Sequence, residues 1–428
     1  MIMSSTLILG VNAHVYDPTR GLLITACEDS DIMSRLDSQL SNIQLPWEDS
    51  ASASVVPLGS LNCWLYEASS DSWVPTTTLF FEHQVSALAF DSKRGNIWVG
   101  LHNGQVICYR CSHDYTELEM LYDCTLHNHR VGAMYYSAED DIVISVGRDS
   151  VIHVIHHGDD NAGEQGPTAT DANASQTREH IYLTSHDAEE GWLGSIAYDT
   201  THKLIYVGSF SGKVLVYHIS QRSGPYTGPI YYLTNPAAHN SYNNGSLFSP
   251  KQQDLSGIPK TNSPIPLSRH SLVLNHMILG HTDCVRAMHL CPTTSYLATA
   301  GFDYKTGVWC LKAKDNAAST SLQNKYGNAT GTSSAVSPNN LTIASLGWLT
   351  GGPKEKIKSV CVCSEVNTIV TGLDNGAIAL WDTRSGQLMY ILKAHKNSVV
   401  SLQWVPERMT LISAARDAKV KFWHMQPM

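Results

Sequence analysis

The chain has 428 residues, 43% hydrophobic and 16% charged, enough apolar side chain for a sizeable core and too much for a globally disordered polymer. Its 38 acidic and 29 basic side chains leave a net charge of −9, a poor balance for general binding to nucleic acid or anionic membranes. The opening MIMSSTLILGVNAHVYDP has no basic run of the signal-peptide kind, and no apolar stretch is long enough to span a bilayer. The 10 cysteines are scattered and mostly fall in strand-like segments, as buried reduced thiols would. The cytoplasm is the expected compartment, with the nucleus and the endosome surface left open.

One unit recurs along the chain. It runs from an apolar alternating strand through a turn to a second strand ending near Ser or Thr, then a polar turn residue and a third strand closing on an aromatic residue. The first copy, VNAHVYDPTRGLLITACED, has Thr25 and turn residue Asp29, and its third strand is postponed to LNCWLYEA at 61–68. The second, 85–109, has Asn103 and Tyr109, and the third, 127–155, has His127, Ser145 and Asp149 with Ile155 in the closing place. The fourth, 193–217, has Ser211 and Tyr217. The fifth, 280–309, is complete with His281, Thr299, Asp303 and Trp309. The sixth, 357–382, has Thr371, Asn375, Trp381 and Asp382 but no matching His. The seventh, 394–423, again has the full set, His395, Ser413, Asp417 and Trp423.

The turn positions are therefore 29, 103, 149, 211, 303, 375 and 417. Four stretches between them have loop composition: 30–58, 158–181, 220–268 and 314–341. With these removed, the turns lie about 38 to 46 residues apart, close to the ~40–45 expected of a four-stranded propeller blade. The prediction is an all-β fold, a single seven-bladed β-propeller over 1–428 with those stretches as flexible insertions. The chain ends just after a third strand, so IMSSTLIL at the N-terminus is expected to supply the missing fourth strand and close the ring. Three insertions follow a third strand and should emerge opposite the Asp turns, and Ser249, Ser263 and Ser337 in them each precede Pro.

The complete copies resemble the WD-repeat family, in which each blade carries a hydrogen-bonded His, Ser/Thr, Asp and Trp. A buried carboxylate, an imidazole, a hydroxyl and an indole would satisfy backbone groups that a tight turn leaves unpaired. Segments such as LNCWLYEASSDSWVP, GLHNGQVICYRCSHDYTELEMLYDCTLHNHRV and KVKFWHMQPM are similar to the WD-repeat and FYVE-domain proteins. That resemblance would bring a zinc finger between the last two blades, but only DTRSGQLMYILKAHK lies there, and the chain has no set of two Cys-x-x-Cys pairs and no basic His-His-Cys-Arg run. Endosomal lipid binding does not carry over.

No catalytic constellation stands out. Cys108, Cys111 and His113 with Cys124, His127 and His129 look zinc-like, but the spacing puts the first and last parts at opposite ends of a blade. The chain reads as a non-catalytic scaffold that assembles other proteins, with no cofactor, no metal, no nucleic acid, no membrane insertion and no small-molecule substrate expected. Residues just before the turns (His102, Arg148, Phe302, Arg416), with Arg130 and Asp283 in the incoming loops, should ring the channel mouth and bind partners. The alternative is a substrate receptor of a cullin–RING ubiquitin ligase. WDTR at 381–384 is similar to the box such receptors present to their adaptor, with Arg384 as the contact.

Overall fold

The structure, a computed structural model, describes residues 2–3, 10–28, 58–157, 181–224, 228–233, 263–313 and 341–426. Seven four-stranded antiparallel sheets dominate it. Blade 1 is β2–β5 (Gly10–Asp17, Leu22–Glu28, Gly59–Glu67, Ser72–Phe81) and blade 2 is β6–β9 (Val85–Asp91, Asn96–Leu101, Gln105–Cys111, Leu118–Thr125). Blade 3 is β10–β13 (Val131–Ser137, Ile142–Gly147, Val151–His157, Ile181–Asp187). Blade 4 is β14–β16 (Leu193–Asp199, Leu204–Ser209, Val214–Gln221) with β19 (His270–Ile278). Blade 5 is β20–β23 (Val285–Cys291, Tyr296–Gly301, Thr306–Ala313, Leu341–Trp348) and blade 6 is β24–β27 (Ile357–Cys363, Thr368–Leu373, Ala377–Asp382, Leu388–Lys393). Blade 7 joins β28–β30 (Val399–Val405, Thr410–Ala415, Lys419–His424) to β1 (Ile2–Met3).

Each first strand packs beside the first strands of its two neighbours, and β2 touches both β6 and β28, so the seven make a closed ring. Both faces of a blade are thereby covered. This explains why β6, β7, β11, β14, β15 and β25 are buried at every position instead of alternating. The ends of the chain meet in blade 7, where Ile2 pairs with Lys421 and Met3 with Val420. The Gln403 amide latches the same junction, accepting from the Tyr16 backbone N–H and donating to its carbonyl, each at 2.8 Å.

Within blades, staples hold the turn between second and third strands. In blade 5 the Trp309 indole donates to Thr299 at 3.0 Å, the hydroxyl lies 2.9 Å from His281 Nε2, and His281 Nδ1 donates to Asp303 at 2.9 Å. Asp303 also accepts the backbone N–H groups of Thr282 and Lys305. Burial alone would raise this carboxyl, but the His281 and backbone hydrogen bonds hold it below its ordinary range. Blade 7 repeats the set, with His395 3.0 Å from Asp417 and 2.8 Å from Ser413, and Trp423 donating to Ser413 at 2.8 Å. Blade 6 keeps only the Trp381 to Thr371 bond, and blade 1 has the equivalent Trp64 to Thr25 bond, which the long insertion hides from sequence reading.

Blade 3 modifies the staple. His127 contacts Asp149 and Ser145 at 3.0 Å each, but Ile155 stands where the indole would be. The residue paired with Ser145 is His153, whereas its equivalent in blade 5 is Gly307, where a Cβ would come within 3.1 Å of the Trp309 indole nitrogen. Without an indole, blade 3 has room for an imidazole. His153 is fully buried, donates from Nε2 to the Leu126 carbonyl at 2.8 Å and meets His127 edge-on at 4.7 Å. Burial holds its pKa well below the ordinary histidine range, so it stays neutral.

The side of His153 facing outward is closed by Tyr231, at 4.8 Å, and this corrects the expectation for 220–268. That stretch is not wholly an unpacked insertion: β16 runs on to Gln221, and two further pieces lie on the propeller. β17 (Tyr232–Leu233) pairs with β18 (Ser263–Pro264), and the Leu183 N–H donates to the Pro266 carbonyl while its own carbonyl accepts from Ser268. The segment thus covers the outer edge of β13, and Ile265 is buried with Tyr231 and Leu233 packed around the same cluster. Apolar side chains at three positions give this part of a polar stretch a core to join, and covering an open strand edge is itself favourable. The central part of 220–268, nearly all of the other three insertions, turn position 29, Ser249 and Ser337 lie outside the described residues.

Two outcomes follow. Asp417→Ala leaves His395 and the Lys396 N–H without their acceptor and should cost roughly 1–3 kcal/mol, read as a lower Tm in thermal melts. An unchanged Tm would show that the last staple carries no stability. Ile265→Ala should destabilise by about 2–4 kcal/mol in denaturant titrations, because it removes a buried side chain from the cluster over blade 3. A change within experimental error would mean that the 263–269 segment does not stay docked.

Candidate functional site

One backbone bond recurs in six blades and defines a surface. The residue just after the second strand donates its N–H to the carbonyl of the residue just before the first strand. His102 bonds to Gln84, Arg148 to Arg130, Phe210 to Trp192, Phe302 to Cys284, Asp374 to Lys356 and Arg416 to Ser398, all at 2.8–3.0 Å. These pairs sit at the inner end of the Asp-turn face, around the mouth of the ring of first strands.

A second regularity lies in the first strands themselves. All seven first strands carry a β-bulge one residue in, at Asn12, Ser86, Gly132, Gly194, Arg286, Lys358 and Val400. A bulge takes the extra residue out of the pleat, and at Asn12 and Ser86 it is buried and donates to the Val85 and Val131 carbonyls of the next blade. In blades 5 and 6 that residue is a cation.

The chemistry is mixed cationic and aromatic. The Arg148 guanidinium lies 4.7 Å from the Trp192 ring and 5.4 Å from Phe210, and the two rings meet edge-on at 5.5 Å. Trp192 remains 50% exposed. Gly194 permits this stack, because a Cβ there would press to 2.8 Å from the Phe210 ring. In the next blade round the mouth, the Phe302 ring lies 4.4 Å from Lys358 and 5.1 Å from Lys356. Burial holds the Lys358 ammonium below the ordinary lysine range. Asp374 at 3.4 Å pulls it back up, and the Arg286 and Arg416 guanidiniums push it down.

Of the residues picked from the sequence, His102, Arg130, Arg148, Phe302 and Arg416 occupy this ring. Asp283 lies one residue outside it, accepting the Cys284 N–H at 2.6 Å. Arg384 is elsewhere: it follows β26 on the opposite face, beside Val366, Asn367, Asp382 and Met389. Sequence reading did not single out Phe210, Trp192, Lys356, Arg286 or Lys358. Phe210 could have been found as the residue before turn position 211, but a bulge leaves no mark in an apolar strand pattern. The zinc-like cysteines are strand residues, with Val106 paired to Cys124 and Cys108 to Tyr122, and among the described residues no three His, Cys, Asp or Glu side chains gather as metal ligands. No described helix is long and apolar enough to cross a membrane.

The WD domain, G-beta repeat family matches residues 273–310 and 386–424, which cover the two complete staples. WD repeat and FYVE domain-containing protein 1 of Mus musculus is 22% identical over 251 residues, 58% of this chain and 54% of that protein. WD repeat and SOCS box-containing protein 1 of Danio rerio is 36% identical over 59 residues, 14% of each chain. The chain therefore spans about half the length, or less, of these relatives. A chain in the crystal structure of a mitotic checkpoint complex superposes with a TM-score of 0.55 at 15% identity, covering 99% of this chain and 91% of that one. The chain thus carries WD-type repeats at 273–310 and 386–424, and its seven four-stranded blades with indole–hydroxyl–imidazole–carboxylate staples form a seven-bladed β-propeller.

Proposed function

We propose that the chain is a non-catalytic scaffold in the cytoplasm that assembles other proteins and grips one of them through the mouth on its Asp-turn face. WD-repeat propellers generally mediate protein interactions and complex assembly. The observation that carries the assignment to this face is the half-exposed Trp192 stacked on Arg148, with Phe302 flanked by two lysines in the adjoining blade. Aromatic and Arg side chains anchor interfaces because they bury large areas with little loss of rotamer freedom. The backbone bonds behind them hold these anchors before a partner arrives, which reduces the ordering cost of association.

A second reading keeps the ubiquitin-ligase receptor alternative. Its support is the 36% identity to a SOCS box-containing relative and the Trp381-Asp382-Thr383-Arg384 string at the end of β26. The two readings use opposite faces, so separate variants test them. Arg148→Ala, Phe302→Ala and Arg416→Ala combined should abolish affinity recovery of at least one partner while the melting curve keeps its cooperative form. Undiminished recovery of every partner would move the binding face elsewhere. Arg384→Ala should reduce co-purification with a cullin-ligase adaptor, and a wild-type chain that recovers no adaptor ends the receptor reading.

A further inference from the structure

We infer that the mouth sector formed by blades 5 to 7 binds a partner segment rich in Asp and Glu. This rests on the mouth being the binding face and names the chemistry of what it takes. The three repeated positions, the residue after the second strand, the residue before the first and the bulge residue, run against the composition of the chain. Over blades 2 to 7 they hold Arg130, Arg148, Arg286, Lys356, Lys358 and Arg416, and a single acid, Asp374. The whole chain has more acids than bases, 38 to 29, so these positions run against its overall balance.

These cations also converge. Lys358 is paired with Asp374 at 3.4 Å and also feels Arg286 and Arg416, and the buried Cys284 feels Arg286, then Asp283, then Lys358 and Arg148. Like charges gathered in a partly buried mouth repel, and an incoming anion relieves that repulsion while gaining charge-assisted hydrogen bonds from the guanidinium forks. Phe302 and the Trp192–Phe210 pair supply apolar contact for side chains next to the acids. A nucleic-acid strand would bring anions too, but it runs beyond the mouth onto a molecule whose net charge is −9, where it is repelled. A short acidic peptide needs the mouth only.

The test uses the full chain and a fluorescein-labelled dodecapeptide of alternating Glu and Ser with one central Phe, read by anisotropy at low and at physiological salt. Wild type should bind it, more weakly at the higher salt, and should not bind the same peptide with Lys for Glu. Arg286→Met with Lys358→Met should weaken binding about tenfold or more. Arg286→Lys with Lys358→Arg keeps the charge and should restore most of the affinity. Lys93→Met, on the opposite face, should leave it unchanged. No binding by wild type, equal binding of the Lys peptide, or an equal loss in Lys93→Met overturns the proposal, as does tighter binding of a single-stranded oligonucleotide of equal length. If the Met pair fails to fold, the two peptides and the salt series on wild type decide alone. Should the acidic peptide fail while the triple variant at Arg148, Phe302 and Arg416 still loses its partner, the binding face stands and only the acidic chemistry falls.

Discussion

Ring closure is the constraint behind everything else in this molecule. A four-stranded blade has two apolar faces and cannot cover either by itself, so each sheet depends on a neighbour on both sides. Six inter-blade clusters lie between consecutive blades, and the seventh, with Val11, Tyr16 and Leu23 against Ile412 and Val420, exists only if the last blade meets the first. Here that meeting rests on a short pairing, Ile2 and Met3 on β30, reinforced by the two-way bond of Gln403 with Tyr16 and by the packing of Tyr16, Trp73 and Phe422. The stacked Trp73 and Phe422 rings, 5.2 Å apart, join residues from the two ends of the chain. Antiparallel sheets that bury every position of their inner strands need that second partner.

Much of this was legible in the sequence because the staples are local. His, hydroxyl, Asp and Trp fall at fixed offsets within one blade, and a tight turn tolerates few other residue sets, so blades 5 and 7 announce themselves. The N-terminal strand was legible too, through a chain that stops one strand short. Other features were hidden for stated reasons. The Trp64 to Thr25 bond spans a long insertion, which breaks the offset. The docking of Tyr231 and Ile265 is a non-local event, in which a blade 4 insertion packs on blade 3, and composition alone gave it no reason to be ordered. The mouth was half legible: the turn-adjacent residues could be counted off, but Arg286 and Lys358 reach it through bulges that change no residue pattern.

The staples differ among blades in a way that follows from volume. Where the closing residue is Trp or Tyr, the outer strand breaks register beside it, at Trp64, Tyr109, Tyr217, Trp309 and Trp381. In blade 3 the closing residue is Ile155 and β12 pairs with β13 without interruption. A large flat side chain needs the wider spacing that a bulge supplies, and a branched aliphatic one does not. The room left in blade 3 is taken by His153, a neutral imidazole that must then be shielded, and Tyr231 supplies the shield. An aliphatic closing residue, a buried histidine and a docked insertion thus occur together in blade 3, whereas the position of His153 holds Asn62 in blade 1 and Lys421 in blade 7, each in a blade with an indole.

The same logic separates what is fixed at the mouth from what is free. The backbone there is invariant across blades: the N–H to carbonyl bond and the bulge recur whatever the residues are, because they use main-chain groups only. At some of these positions the side chain is buried or confined, as at Ser86 and Gly132, and at others it is a long cation. Gly132 and Gly194 occupy the bulge in blades 3 and 4, and Arg286 and Lys358 occupy it in blades 5 and 6. Small residues on one side let Trp192 and Phe210 lie over the mouth, and long cations on the other side reach into it. A near-symmetric scaffold acquires an asymmetric surface by this route. The asymmetry, rather than the sevenfold frame it stands on, is what a partner can read.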